Sequence, residues 1–166
     1  MYTTVKCSAV VHPNYRQCIK TLFDSHSWKE VEKQYPGVIS TKSLVGRAST
    51  IPFCTSAYIP ESWNNGEQCH YYNETNGNWL FICSLKNYEN DIEVFIENVM
   101  TKVCSRVYRF TSLYEESWSP YNHDITVIKD FDLADEAIEF EMNEFELIVN
   151  LSDDEYHYYS DNSDVD

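Results

Sequence analysis

Glycine is scarce in this sequence. Only four glycines occur among 166 residues, whereas an average usage of about 7% would supply about twelve. Their spacing forms neither G-x-G-x-x-G nor G-x-x-x-x-G-K, the two glycine-rich motifs that most often hold nucleotide phosphates. The two commonest nucleotide-binding loops are therefore absent from the chain. The glycines are Gly37, Gly46, Gly66 and Gly77.

Long apolar runs are also missing. No stretch of about 18 or more consecutive apolar residues occurs, so the sequence predicts no membrane-spanning helix. Near the N-terminus, the apolar run around Ser8–Val11 is soon followed by Pro13. That run is too short for the apolar core of a signal peptide. We therefore expect a cytosolic, intracellular protein.

Basic residues are absent from the last quarter of the chain. The formal net charge is −15, from 12 Lys and Arg against 27 Asp and Glu. No Lys or Arg follows Lys129, and residues 130–166 contain 14 acidic residues. Residues 1–129 are nearly neutral, with 13 acidic and 12 basic residues. Because phosphates repel a negatively charged protein, we expect no direct binding to nucleic acid or to anionic membranes.

The six cysteines form no C-x-x-C pair and lie mostly within apolar segments. Without an export signal, this pattern predicts reduced thiols buried in the core. Cys69 and His70 are adjacent, but neighbours on a strand point to opposite faces, which disfavours a thiolate–imidazole pair. The histidines lack metal-ligand spacing, so we predict no metal, no cofactor and no catalytic residue. The cysteines are Cys7, Cys18, Cys54, Cys69, Cys83 and Cys104.

The first part of the chain predicts a strand followed by two helices. Residues 2–11 are β-branched and apolar, which is typical of a strand. Apolar residues at helical spacing from Tyr15 to Phe23 predict a buried helical stripe. Ser27 and Glu30 form a capping-box pattern, which predicts a second short helix from Trp28 to about Gln34.

The middle of the chain predicts a hairpin and a third helix. Asn76-Gly77 separates two short aromatic or apolar runs and favours a type I′ turn. Asn90 and Glu93 form a second capping pattern, at the start of a helix whose apolar face extends to Val103. The two runs of the hairpin are residues 67–73 and 78–85.

Three further segments are predicted as strands. Thr50–Ile59 would form an edge strand because it contains Pro52. Arg106–Tyr114 alternates its side chains between two faces, and Asp124–Phe131 follows it as the next strand.

These elements predict an α+β fold. Two main helices would cover one face of an antiparallel sheet in a ferredoxin-like, split βαββαβ plan with extra strands and an acidic C-terminal extension. We divide the chain into a near-neutral body (1–129), an acidic amphipathic segment packed on the body (130–151) and an acidic tail containing tyrosines (152–166). We refer to 130–151 as the acidic segment and to 152–166 as the acidic tail.

Helix and strand both remain open for residues 132–151. A helix would align apolar residues from Ala134 to Val149, but it would also place acidic residues one turn apart without a lysine between them. A strand would turn apolar residues inward and Glu139 and Glu141 outward, with a change of parity at Asn143-Glu144. We favour strands, because a helix would place like charges one turn apart and would leave Phe140, Leu147 and Leu151 on a second face.

The carboxylates of this region share one face in either case. On a strand, alternate residues lie about 6.6 Å apart, which is close to the spacing of about twice 3.4 Å between phosphates along a nucleic-acid strand. We therefore predict an inhibitor that mimics nucleic-acid charge and blocks the basic groove of a nuclease or other DNA-handling protein. Tyrosines in the tail would add contact area. The predicted partner-binding residues are Glu139, Glu141, Glu144, Glu146, Asp153, Asp154, Glu155, Tyr156, Tyr158 and Tyr159.

Two alternatives fit the same sequence. The first is an immunity or antitoxin-like protein that neutralises a basic toxin without competing with DNA. The second is a small enzyme or ligand-binding domain with a site near Cys54, His70, Tyr72 and Trp79. The first alternative rests on the same acidic last quarter of the chain, whereas the second would depend on a reactive Cys or His in the body.

Overall fold

The fold was taken from a computed structural model, which describes residues 1–39, 44–53, 59, 70–117 and 119–127. Within these residues the chain forms five strands and three helices, with short 3-10 turns at Pro13–Tyr15 and Gly46–Thr50. The strands are β1 (Thr3–Val11), β2 (His70–Tyr72), β3 (Asn78–Leu85), β4 (Cys104–Tyr114) and β5 (Tyr121–Asn122). The helices are α1 (Arg16–Ser25), α2 (Trp28–Gln34) and α3, which starts as Asp91–Phe95, widens into a π-helical turn at Ile96–Met100 and ends as Thr101–Val103.

The five strands form one sheet in the order β2-β3-β1-β4-β5, and every neighbouring pair is antiparallel. The predicted α+β class with an antiparallel sheet is therefore confirmed. The ferredoxin-like plan and the three-part division of the chain stay predictions. The acidic extension also stays a prediction, because it lies outside the described residues. No helix in the described part of the chain is both long and apolar enough to cross a membrane.

The core lies between the helices and one face of the sheet, which we call the helix face. On β1 this face consists of Val5, Cys7, Ala9 and Val11. Apolar side chains from all three helices pack against it, as the helical spacing of the sequence predicts. The opposite face, which we call the far face, consists on β1 of Thr4, Lys6, Ser8 and Val10.

The three predicted helices are present. The hydroxyl oxygen of Ser27 accepts the backbone N–H of Glu30 at 3.3 Å, so the predicted cap of α2 is confirmed. The cap of α3 was predicted wrongly, because Asn90 adopts a left-handed conformation and its side chain makes no capping bond. Instead, the side-chain oxygen of Asn87 accepts the N–H of Ile92 at 2.9 Å.

The predicted hairpin joins β2 to β3, but its turn is not type I′. Tyr72 pairs with Trp79, and the N–H of Asn73 donates to the carbonyl of Asn78 at 2.9 Å, which leaves a loop of residues 74–77. Only Gly77 in that loop has a positive φ, of 81°. A Cβ on Gly77 would lie 2.5 Å from the carbonyl oxygen of Val11. The close contact between this loop and β1 therefore determines the type of the turn.

Two predicted strands are corrected. Thr50 ends a 3-10 turn and residues 51–53 form a further turn, so no strand starts there; residues 54–58 lie outside the described ranges. The last described strand is Tyr121–Asn122 rather than the start of Asp124–Phe131. Ile125 and Val127 pack on the core although they belong to no strand, because a short segment can bury its side chains without backbone hydrogen bonds to a neighbouring strand.

The strand predicted at Arg106–Tyr114 is present and begins two residues earlier, at Cys104. The prediction that its side chains alternate strictly between two faces is wrong. The register with β1 shifts between Ser8 and Ala9 and again between Val10 and Val11. An extra residue at each shift bends the strand and re-aims its side chains.

Candidate functional site

The acidic partner-binding surface predicted from the sequence lies outside the described residues. All ten of its residues fall within 128–166, and Cys54 of the alternative site also lies in an undescribed range. The described part of the chain therefore bears on the body, including the alternative site around His70.

His70 lies on the edge strand β2, opposite Phe81 on the helix face of the sheet. The indole Nε1 of Trp79 donates a hydrogen bond to His70 Nε2 at 2.8 Å. The rings of Phe23 and Phe53 meet the imidazole edge-on, with centroids 4.9 and 5.0 Å away. The imidazole is thus enclosed by aromatic rings.

This enclosure sets the protonation of His70. Burial, with a smaller contribution from the nearby His26, lowers the pKa of His70 to about 3. The ring is therefore neutral near pH 7, and because Nε2 accepts a hydrogen bond from the Trp79 indole, the ring proton sits on Nδ1. A general base works best with a pKa near the operating pH. His70 is suited to holding Trp79 in place rather than to moving protons.

Tyr72 belongs to the same cluster through Phe23, whose ring centroid lies 6.2 Å from that of Tyr72. The Tyr72 hydroxyl donates to the backbone carbonyl of Arg16 at 2.7 Å. Burial raises the pKa of Tyr72, so the hydroxyl keeps its proton and remains a donor. The structure thus brings His70, Tyr72 and Trp79 together, as the second alternative requires, but each of the three has a packing or anchoring role.

The thiols of the body are buried. Cys7, Cys18, Cys83 and Cys104 are free and buried, which confirms the sequence prediction for these four. Burial raises the pKa of Cys18 to about 11, and it also raises the pKa values of Cys7 and Cys104. The thiolate is the reactive form of cysteine, so these thiols are poor nucleophiles. Within the described ranges, no group of three His, Cys, Asp or Glu residues is arranged to hold a metal ion.

A groove whose lining includes three tyrosines, which we call the tyrosine-lined groove, was not predicted from the sequence. It encloses about 730 Å³ where the N-terminus and the loop after β3 meet the turn between β4 and β5. Of the five large apolar residues exposed in the described part of the chain, Val45 lies elsewhere and the other four line this groove. Those four are Met1, Tyr88, Tyr114 and Tyr121. They come from separate segments, so no sequence pattern joins them.

One wall of the groove contains a serine–histidine contact. Ser112 Oγ lies 2.9 Å from His123 Nε2, and burial lowers the pKa of His123. A nucleophilic serine also needs a group that orients the imidazole and donors for the oxyanion. The His123 ring makes edge-on aromatic contacts, to Phe110 at 5.5 Å and to Tyr121 at 4.8 Å, and the charge of Glu93 only partly offsets the effect of burial on its pKa. The pair therefore fits a structural role at the wall of the groove.

Comparisons with known proteins give no relative. No family model, no curated protein and no solved structure matches this chain.

Proposed function

We propose that this chain is a non-enzymatic, cytosolic interaction protein that inhibits a basic nucleic-acid-binding protein by imitating nucleic-acid charge. The acidic segment and the acidic tail would occupy the basic groove of a nuclease or another DNA-handling protein. This proposal makes the body a scaffold and the last quarter the binding surface.

The separation of charge along the chain carries this proposal. All but about one unit of the net charge of −15 belongs to residues 130–166, which contain 14 acidic residues and no Lys or Arg. A general need for solubility would be met by acidic residues spread over the surface. Concentrated charge instead creates a directed field that steers association with a basic partner.

The composition of the acidic segment supports a shaped mimic rather than a solvated tail. Residues 130–151 combine eight acidic with twelve apolar residues. Apolar residues allow the segment to pack, and packing fixes the positions of its carboxylates. Fixed carboxylates at the spacing of phosphates would bind a basic groove without the ordering cost that a disordered tail has to overcome.

The proposal is tested by capture from an extract of the source cells at low and high salt. Full-length protein is compared with a chain ending at residue 129, and bound proteins are challenged with duplex DNA. We expect full-length protein to retain a basic partner at low salt and DNA to release it. Unchanged binding by the shortened chain would refute the proposal.

The tyrosine-lined groove favours a second candidate. Tyrosine provides contact area at low conformational cost and is enriched in interaction hot spots. A partner held by Tyr88, Tyr114 and Tyr121 could be a basic toxin bound away from its nucleic-acid site, as by an immunity or antitoxin-like protein. In that case DNA would fail to release the partner, and Tyr121→Ala would weaken capture while a control change at the exposed Val45 would not.

A further inference from the structure

The tyrosine-lined groove presents three exposed aromatic rings to solvent. Tyr88 comes from the loop after β3, Tyr114 from the end of β4 and Tyr121 from β5. Large apolar side chains on a protein surface are normally scattered singly, so three rings in one groove indicate a binding surface. The groups around the rings define the chemistry of the ligand.

Two of these tyrosines, Tyr114 and Tyr121, are diagonal neighbours on one face of the sheet. Tyr121 on β5 is paired with Ser112 on β4, and Tyr114 lies two residues beyond Ser112, so all three share a face. Diagonal neighbours in an antiparallel pair are separated by about 7–8 Å. A flat group in van der Waals contact with a ring on each side needs about 3.5–4 Å on either side. The spacing of the two tyrosines therefore suits one planar group held between their rings.

Contacts within the groove hold both rings in position. The ring of Tyr121 packs edge-on against His123, with centroids 4.8 Å apart. The hydroxyl of Tyr114 donates a hydrogen bond to a carboxylate oxygen of Glu116 at 3.2 Å. A side chain that is already held in place loses less conformational freedom when a ligand binds. The two rings are thus prepared for a ligand although they remain exposed.

Carboxylates lie at the walls of the groove. Glu116 contacts the Tyr114 hydroxyl, and Glu93 accepts the side-chain N–H of Asn87, a lining residue, at 3.4 Å. Among the described residues the ion pairs all involve Lys20, so neither glutamate is neutralised by one. Each carboxylate can accept further hydrogen bonds. The charge at these walls therefore favours a cationic ligand.

Two cations of the chain itself already contact the third tyrosine. The guanidinium of Arg47 lies over the ring of Tyr88, 5.4 Å from its centroid, and the amino group of Met1 donates to the Tyr88 hydroxyl at 2.6 Å. Within the described part of the chain, no lysine or arginine lies over the ring of Tyr114 or Tyr121. Those two rings are therefore available to a cation from another molecule.

We propose that the tyrosine-lined groove binds an arginine side chain of a basic protein partner, with the guanidinium between the rings of Tyr114 and Tyr121 and close to the carboxylate of Glu116. The guanidinium is planar, keeps its charge at physiological pH and stacks on aromatic faces. The ammonium group of lysine is compact and strongly hydrated, so it fills a flat slot less well. Planarity and positive charge together therefore select arginine.

This inference rests on the second candidate function, which assigns the groove to partner binding, and it adds the chemistry of the ligand. Tyrosine and arginine are both enriched among the residues that contribute most to protein–protein binding. An arginine held between two rings would fix the orientation of the partner at the β4–β5 edge of the sheet. The acidic quarter of the chain has no part in this contact.

A peptide with a single guanidinium tests the inference on the full chain. The probe is a blocked Gly-Gly-Arg-Gly-Gly peptide, and its binding is followed by NMR at about 0.15 M salt, which screens distant charges. A citrulline peptide provides a neutral group of nearly the same shape, and a lysine peptide retains the charge without the planar group. We expect the arginine peptide to shift the amide signals of Tyr114 and Tyr121. It should bind about fivefold more tightly than the citrulline peptide and about threefold more tightly than the lysine peptide.

Two pairs of variants locate the site. Tyr121 is 64% exposed, so its replacement leaves the core intact. Tyr121→Leu removes the aromatic ring and should weaken binding of the arginine peptide about fivefold, whereas Tyr121→Phe retains the ring and should stay within about twofold. Glu116→Gln should weaken binding about threefold, and Glu32→Gln, at an exposed position of α2 outside the groove, should leave it unchanged.

Three results would overturn the inference: equal affinity for any two of the peptides, native affinity in Tyr121→Leu, or equal effects of the two glutamine variants. Shifts confined to residues 130–166 would also overturn it, because they would assign the cation to the acidic quarter. The peptide assay is separate from capture of a partner. Peptide binding that is retained while Tyr121→Ala leaves capture unchanged would refute the second candidate function alone.

Discussion

Along β1 the two faces of the sheet are both buried, but they differ in chemistry. Val5 and Phe81 on the helix face are 0% and 1% exposed, and they pack among apolar side chains of the three helices. Lys6 and Ser8 on the far face are each 3% exposed. The helix face is stabilised by the hydrophobic effect, which needs no particular partner. The far face instead buries polar and charged side chains beside the small apolar cluster of Val10 and Leu80.

The largest effect is expected on the helix face. Phe81→Ala should lower the free energy of unfolding by about 4 kcal/mol, because a buried ring is replaced by a cavity. Urea unfolding followed by circular dichroism measures the change. Tyr88→Ala serves as the control, since Tyr88 is 62% exposed, and we expect less than about 0.5 kcal/mol for it. Equal effects of the two changes would contradict the described core.

On the far face, the free energy of unfolding should depend on the sign of the charge at position 6 more than on the volume of the side chain. Lys6→Glu should destabilise the full chain by about 3 kcal/mol, because it places a carboxylate in a buried site suited to a cation. Lys6→Met retains most of the side-chain length and should cost about 1 kcal/mol. The same unfolding assay separates the two variants. If Lys6→Glu and Lys6→Met are equally stable, the far face does not select for charge.

The helix face should tolerate His70 only in its neutral form. The pKa of His70 is lowered to about 3 in the folded protein, against an unperturbed value of 6.5. The unfolded chain therefore binds the proton first as the pH falls. His70 should then contribute stability that is complete above about pH 6.5 and is lost toward pH 3, at up to about 1.4 kcal/mol per pH unit.

Substitution of His70 isolates this contribution. His70→Gln retains an acceptor for the Trp79 indole and removes the titration, so its stability should depend less steeply on pH between 6.5 and 3 than that of the native chain. Thermal unfolding across this range measures the difference. Parallel pH profiles for the two proteins would show that His70 is not held neutral.

Local patterns predicted the first part of the body closely. β-branched residues located β1, and helical spacing with the Ser27 cap located α1 and α2, because these signals lie within a few residues of one another. The cap of α3 was missed because Asn87 reaches it from five residues away, across a turn. The hairpin turn was also missed, since its shape follows from the contact of Gly77 with Val11.

Long-range features were only partly predictable. A site near His70, Tyr72 and Trp79 was among the alternatives, but its enclosure by Phe23 and Phe53 depends on tertiary packing. The tyrosine-lined groove gave no signal, since Tyr88, Tyr114 and Tyr121 are far apart in the sequence. The burial of Lys6 was likewise unexpected, because alternation along a strand indicates two faces without showing what covers each of them.

We propose that the acidic quarter of the chain binds the partner and that the body presents it. The most direct measurement is the affinity of the captured partner for two variants with equal charge changes, at low salt. One variant replaces Glu139, Glu141, Glu144 and Glu146 by Gln; the other replaces the exposed body residues Glu32, Glu89, Glu97 and Asp124 by their amides. We predict a loss of about 100-fold or more for the first and less than about threefold for the second. Equal losses would show that net charge alone determines binding, and would contradict the claim of a located surface.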